Sequence, residues 1–243
     1  MKLFGFHGLR EGAGASFLAA SCAFRMTVTN GRVLVVDAHP CASSLKRFFN
    51  LPMHVPQGWL EAEADASGSL PFWQYDKGLE ILPVCGREGE KPDRPWDKRF
   101  EWLLERIGGL GFDAVVIDAG PVQSGASRAL RKMDRVLSVT VTEPDASCLA
   151  RLTEHEFGPR ELLVLNKCNP ASAAHKDVML AMNRIEPLAR RLVPISVPWD
   201  EFALEACLMK RPVTQGLAFA QIAESINNFV TWLEAYMRRD GAR

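Results

Sequence analysis

Phe6-His7-Gly8-Leu9-Arg10-Glu11-Gly12-Ala13-Gly14-Ala15-Ser16 is the stretch on which the reading of this chain turns. A short apolar run, Leu3–Phe6, leads into it, and a helix-period segment, Ser16–Met26, leads out. A Gly-rich turn between a buried strand and a helix aims backbone N–H groups and the positive end of the helix dipole at one spot. Such a turn cradles phosphate, and Ser16 stands where a hydroxyl would ligate Mg2+. Taken alone, the loop reads equally well as a Gly-rich strand-to-helix turn with no ligand. The rest of the chain has to decide.

Working outward, apolar runs alternate with helix-period segments. The runs are Leu3–Phe6, Val33–Val36, Leu79–Val84, Ala114–Ile117, Val136–Val141, Leu162–Leu165 and Leu192–Val197. None shows the polar alternation of a half-exposed strand, so both faces of each are expected to be covered. Ser16–Met26, Asp97–Ile107, Ser124–Met133, Ala146–Glu154, Ala174–Ile185 and Glu201–Met209 are expected as crossover helices. Right-handed βαβ units then give a three-layer α/β fold over residues 1–243, a mainly parallel sheet with helices on both faces. Cys41 to Tyr75, rich in Gly, Pro and Trp, is expected to hold loops and short helices.

Three further segments end in polar residues at predicted strand C-termini, where open α/β sheets bind ligands. They are Arg32–Pro40 with Asp37 and His39, Phe112–Gly120 with Asp118, and Leu163–Lys167 with Asn166. After the loop, and in that order, they complete a resemblance to the motifs of MinD/ParA-type P-loop ATPases: the loop to the deviant Walker A pattern K-G-G-x-G-K-[ST], and the three segments to the D-x-D-P strand, the Walker B strand and the adenine-reading Asn. Within the loop, Arg10 takes the signature lysine's place, Glu11 the first glycine's, and Ala15 the main phosphate lysine's.

Those departures have physical consequences. A charge-assisted hydrogen bond contributes about 1.5–3 kcal/mol, so losing the lysine at Ala15 should weaken ATP binding about ten- to a hundredfold. A Glu11 carboxylate ~5 Å from a phosphate oxygen, at an effective dielectric of ~20, would repel it by roughly 3 kcal/mol. Glu11 must therefore face solvent, find a cationic partner, or prevent binding. His39 stands where the resemblance implies a water-positioning aspartate. With Ala15, it implies slow or absent hydrolysis, since phosphoryl transfer depends on positioning and charge neutralisation.

Composition narrows the partners. Lys plus Arg equals Asp plus Glu at 29 each, without the basic surplus that nonspecific nucleic-acid binding requires. The apolar N-terminal run is too short for a signal h-region, and no window approaches the ~20 apolar residues of a membrane span. The six cysteines, at 22, 41, 85, 148, 168 and 207, form neither a zinc nor a CxxC spacing and read as buried thiols in a reducing cytosol. Arg128, Arg131, Lys132 and Arg135 read as a solvated helix face or loop, as do Arg190-Arg191 and Lys210-Arg211. The stripe Ile222, Ile226, Phe229, Val230, Leu233 and Met237 has Glu224, Asn227, Asn228 and Glu234 opposite it. It reads as core packing rather than a lipid-binding helix.

Across residues 3 to about 233 the chain also resembles the BcsQ family of MinD-like cellulose-biosynthesis proteins. The matching pieces are Gly8-Leu9-Arg10, Val33–Pro40, Gln57-Gly58-Trp59, Leu79–Pro83, Asp200–Ala203 and Pro212-Val213. The resemblance implies a cytoplasmic homodimer sandwiching ATP and Mg2+, recruited to an inner-membrane cellulose synthase. It further implies BcsE and a small BcsR-like protein as partners, no nucleic acid, and contact with the membrane only through others. Nucleotide would be held by Gly8, Arg10, Gly12, Ala13, Gly14, Ala15, Ser16, Phe17, Asn166, Pro198 and Asp200, and Mg2+ by Ser16, Asp37 and Asp118. Arg10 would reach the partner's ATP, with Asp37 and His39 beside the reacting phosphate. A nucleotide-free scaffold of the same machine and a DNA-partitioning ATPase are the competing readings.

Overall fold

The structure is a computed structural model that describes residues 1–39, 44–52, 55, 57–64, 69–84 and 94–240. Strands β1 (Lys2–Gly8), β2 (Val33–Asp37), β3 (Trp73–Asp76), β4 (Leu79–Leu82), β5 (Ala114–Pro121), β6 (Leu137–Thr142) and β7 (Glu161–Leu165) pair into one sheet. Their order is β3-β4-β2-β5-β1-β6-β7, and every pairing is parallel except β3 with β4. The chain winds outward to one side of β1 through β5 and β2, and to the other through β6 and β7. The loop after β1 thus opens at the switch point where such sheets place their ligands.

The helices are α1 (Ala15–Asn30), α2 (Trp59–Ala64), α3 (Trp96–Gly108), α4 (Gly125–Arg131), α5 (Ala146–Thr153), α6 (Ala173–Arg184), α7 (Glu186–Ala189), α8 (Phe202–Leu208) and α9 (Gln221–Asp240). Alternate strand residues face opposite layers. Phe4, Phe6, Val33, Val35, Val116, Val139 and Val164 join a core with α1 and α9. Leu34, Val36, Val115 and Ile117 pack under α2, α3 and α4, while Leu163 and Leu165 pack with α5 and α6. This is the expected three-layer arrangement.

Helix α1 is buried on almost every side, through Phe17, Leu18, Ala19, Ala20, Ser21, Cys22, Ala23 and Met26. Its run of small residues lets the sheet and α9 approach closely, and a helix apolar all round belongs inside. It ends at Gly31, whose φ of 92° and amide bond to the Thr27 carbonyl close the last turn. From α9, Ile222, Ile226, Phe229, Val230 and Leu233 complete that core. Among the described residues no helix is long and apolar enough to cross a membrane.

The structure departs from expectation in five places. Glu234, read on the polar face of the last helix, is buried and accepts from Thr29 Oγ1 at 2.7 Å. Leu192–Val197 is not a strand. It runs beside β7 with bonds from the Val193 amide to Leu163 O and from the Val197 amide to Leu165 O, both 2.8 Å, but forms only isolated bridges. Pro194 and Pro198 supply no amide, which breaks the ladder. Conversely, Trp73–Asp76 is an antiparallel edge strand within a region expected to hold loops and short helices. Trp73 and Tyr75 pack inward while Gln74 and Asp76 face out. Arg131 is not solvated: it pairs at 3.2 Å with buried Glu161. Cys22, Cys148 and Cys168 are buried free thiols, but Cys207 is exposed. Pro40, Cys41 and Cys85 lie outside the described residues.

Candidate functional site

Beyond Gly8 the chain turns through a loop pinned by buried Leu9, whose amide donates to the Val141 carbonyl at 2.9 Å. Gly14, at φ 94°, precedes α1, and no side chain caps the helix. The first amides of an α-helix have no intrahelical acceptor. Those of Ala15, Ser16 and Phe17 begin a helix whose first turn lines a cavity of about 550 Å3, with Gly8, Arg10, Glu11, Gly12, Ala13 and Gly14. An uncapped helix N-terminus over an open cavity is an anion seat. Glu11 is exposed at the rim and makes no ion pair among the described residues.

Asp37, the last residue of β2, and Asp118, three residues before the end of β5, are register partners, and both are buried. Burial pushes the Asp118 carboxyl above the usual carboxylate range, against the pull of the Ser16 hydroxyl, the Gly120 amide and His39. Its Oδ1 accepts from the Gly120 amide at 3.3 Å, while Oδ2 is buried with no hydrogen-bond partner among the described residues. A buried orphaned acceptor is costly unless something binds it. One hydroxyl and two carboxylates are too few to cage a metal, and among the described residues no group of three or more His, Cys, Asp or Glu is arranged to hold one. They do suit Mg2+, which keeps waters and takes phosphate oxygens alongside one or two carboxylates.

The amide of His39 donates to Asp37 Oδ1 at 3.0 Å. Its ring lies over Gly120, where an added Cβ would sit 2.6 Å from Cδ2. Gly120 also holds φ 70°, so no side chain fits there.

Arg10 closes onto its own chain. Its Nη2 lies 2.7 Å from Glu143 Oε2 and 3.3 Å from Asp145 Oδ2, and the Glu143 charge raises its already high pKa. Lys167, at φ 56°, donates to the Gly12 carbonyl at 2.6 Å and to Glu143 Oε1 at 2.9 Å. One carboxylate therefore braces both sides of the loop. Neither Glu143, Asp145 nor Lys167 is among the sequence-predicted site residues. Lys167 sits in the Leu163–Lys167 motif beside Asn166, which was the available signal.

Asn166 donates its side-chain amide to the Ala13 carbonyl at 2.8 Å. It also lines a second cavity of about 150 Å3 with Gly14, Phe17, Pro198 and Asp200. The Asp200 carboxylate has a structural task as well, accepting from the amides of Phe202 at 3.0 Å and Ile222 at 3.1 Å. Gly14 and Phe17 border both cavities, so a ligand could occupy the two at once.

A mainly parallel sheet whose first strand feeds an uncapped Gly-rich loop at the switch point, with paired aspartates on the two strands to one side of it, defines a P-loop NTPase fold of the MinD/ParA type. A ParA family ATPase from Chlorobium tepidum TLS superposes with a TM-score of 0.72 at 18% identity, covering 95% of this chain and 97% of that one. The septum site-determining protein MinD complexed with Mg-ADP from Pyrococcus horikoshii OT3 gives 0.71 at 18% identity, covering 96% and 95%. The family model for cellulose biosynthesis protein BcsQ matches residues 1–233, and the chain belongs to that family. The cellulose biosynthesis protein BcsQ of Escherichia coli (strain K12) is 26% identical over 245 residues, covering 96% of this chain and 94% of that protein.

Proposed function

We propose that the chain binds ATP with Mg2+ and acts as a nucleotide-dependent dimeric regulator of bacterial cellulose synthesis and secretion, with slow or absent hydrolysis. The observation that carries this reading is the uncapped N-terminus of α1 over the 550 Å3 cavity, joined through Gly14 and Phe17 to a second cavity at Asn166. The loop amides and Ser16 would hold the phosphates, and the side chain of Asn166, with Pro198 and Asp200, the adenine. Ser16, Asp37 and Asp118 would hold Mg2+, which neutralises phosphate charge when bound. His39, set against Gly120, offers no carboxylate to orient water. Arg10 would leave Glu143 and reach the ATP of a second copy.

Family membership supports a cytoplasmic site of action at the inner-membrane synthase, with BcsE and a small BcsR-like protein as partners and the chain working as one domain. Ala15 and Glu11 favour a second reading, a nucleotide-free scaffold of the same machine. Calorimetry of ATP with Mg2+ decides between them. Binding that weakens in Ser16→Ala and Asn166→Ala supports the nucleotide reading. No heat at millimolar ATP, at any protein concentration, supports the scaffold.

A further inference from the structure

Ala15 leaves the phosphate cradle without the cation that a lysine would bring, and among the described residues three basic side chains border the loop or its cavity. Arg10 is bound to Glu143 and Asp145. Lys167 is bound to the Gly12 carbonyl and Glu143. Arg47 lines the same cavity as Ala15, Ser16 and His39, is exposed, and makes no ion pair among the described residues. We propose that Arg47 is the phosphate-binding cation of this site, gripping the triphosphate tail of ATP and Mg2+ from the same subunit. This rests on the nucleotide-binding reading above and adds to it the residue that replaces the missing lysine.

The placement of Arg47 is built rather than incidental. It ends the 3-10 turn Ser44–Arg47, and the residues around it are anchors: Leu45 and Phe49 are 1% and 2% exposed within the α1 core. Phe48 packs edge-on against Phe17 with ring centroids 6.0 Å apart, and Phe49 against Tyr75 at 4.9 Å. Phe17 belongs to the first turn of α1, the turn whose amides face the cavity. The platform that carries Arg47 is thus docked on the helix that forms the anion seat, and the two are held in register. From it a long, planar guanidinium can meet two phosphate oxygens in parallel. Among the described residues no acidic group has to be released first, unlike for Arg10.

The division of labour is testable, because Arg47 acts within one subunit and Arg10 between two. ATP with Mg2+ is titrated calorimetrically into protein dilute enough to sediment as a monomer. Arg47→Ala should weaken binding about ten- to a hundredfold, the weight of one charge-assisted contact. Arg47→Lys should retain part of the affinity, and Ala15→Lys placed in Arg47→Ala should recover it. Unfolding temperatures without nucleotide should match the wild type, since the side chain is exposed. If wild type binds and Arg47→Ala binds within twofold of it, the role of Arg47 is overturned and the nucleotide site stands. If wild type shows no binding at millimolar ATP at any protein concentration, the nucleotide reading fails and this inference with it; binding that appears only where the protein dimerises overturns the same-subunit role of Arg47 alone.

Discussion

The Arg10 guanidinium lies 2.7 Å from Glu143 of its own chain, a residue 133 positions away. The same carboxylate holds Lys167 at 2.9 Å, so it competes for the one side chain that the dimer reading needs elsewhere. Arg10 is 38% exposed in its side chain, and pairs of that kind contribute only about 0.2–1 kcal/mol. The brake is therefore light. Each dimer frees two such arginines, so Glu143→Gln should raise ATP-dependent dimerisation by no more than about thirtyfold, roughly fivefold per subunit, read by sedimentation velocity with and without ATP and Mg2+. Arg10→Ala should abolish that dimerisation and leave the monomer folded. Equal ATP-dependent dimerisation in wild type and Arg10→Ala would remove Arg10 from the mechanism.

Gly14 tests whether the loop geometry matters as described. It holds φ 94°, and a Cβ there would lie 2.4 Å from Asn166 Nδ2. Left-handed backbone costs an L-residue about 1–2 kcal/mol. Gly14→Ala should therefore lower the Tm by about 2–8 °C for a chain of this size. It should also displace Asn166 and weaken nucleotide binding further than Asn166→Ala does. A variant with wild-type stability and affinity would mean that the loop relaxes freely.

Turnover should be slow. Ala15 and His39 stand where a phosphate lysine and a water-orienting carboxylate are expected, and Arg47 restores charge but not the positioning of water. Steady-state phosphate release at saturating ATP should stay far below ~1 s−1, the low end of ordinary enzyme rates. A rate near that figure would refute the assignment of His39.

Acid should weaken the fold in two stages. Burial holds the His7 imidazole at about 3 instead of 6.5, with Glu161 pulling it up and Arg131 and His155 pushing it down. The unfolded chain therefore takes the proton first. The contribution of neutral His7 is complete above pH 6.5 and is lost as pH falls from there towards 3. Burial also acts to raise Glu161. Bonds from His155, Thr140 and the Gly158 amide, with the Arg131 charge, outweigh it and hold the carboxyl at about 2 against 4.5. Its contribution is present above 4.5 and lost as pH falls towards 2. Urea midpoints should begin to fall near pH 6.5 and fall faster below 4.5. His7→Gln should flatten the first stage alone; an unchanged slope would assign it to other groups.

How much of this was readable without coordinates depends on range. The loop Gly8–Ser16, Asp37, Asp118 and Asn166 announce themselves because each directly follows an apolar run, and a sheet must bring such strand ends together. The strand Trp73–Asp76 does not, because its Trp-Gln-Tyr-Asp alternation belongs to a half-exposed edge, not to the continuous runs sought. Leu192–Val197 has the right apolar content, but Pro194 and Pro198 remove the amides that a ladder needs. The partners of Arg10 and the place of Arg47 beside Ala15 are tertiary facts. Nothing in Glu143 or in Ser44–Arg47 as local sequence points towards a loop more than 30 residues away.

The burial of α1 also sets where this molecule can move. An amide in a helix enclosed by sheet and neighbouring helix exchanges its hydrogen with solvent only when that enclosure opens, so its protection approaches that of the whole fold. Helix α1 is such a helix, enclosed by the sheet and α9, and its first turn is the anion seat. In heavy water its amides should be among the last to exchange, with or without nucleotide. A seat this stiff cannot be the part that reports on its occupant. Any such signal has to arise in segments resting on it from outside: the short turn bearing Arg47, the arm of Arg10, and the stretch that Asp200 ties to α8 and α9.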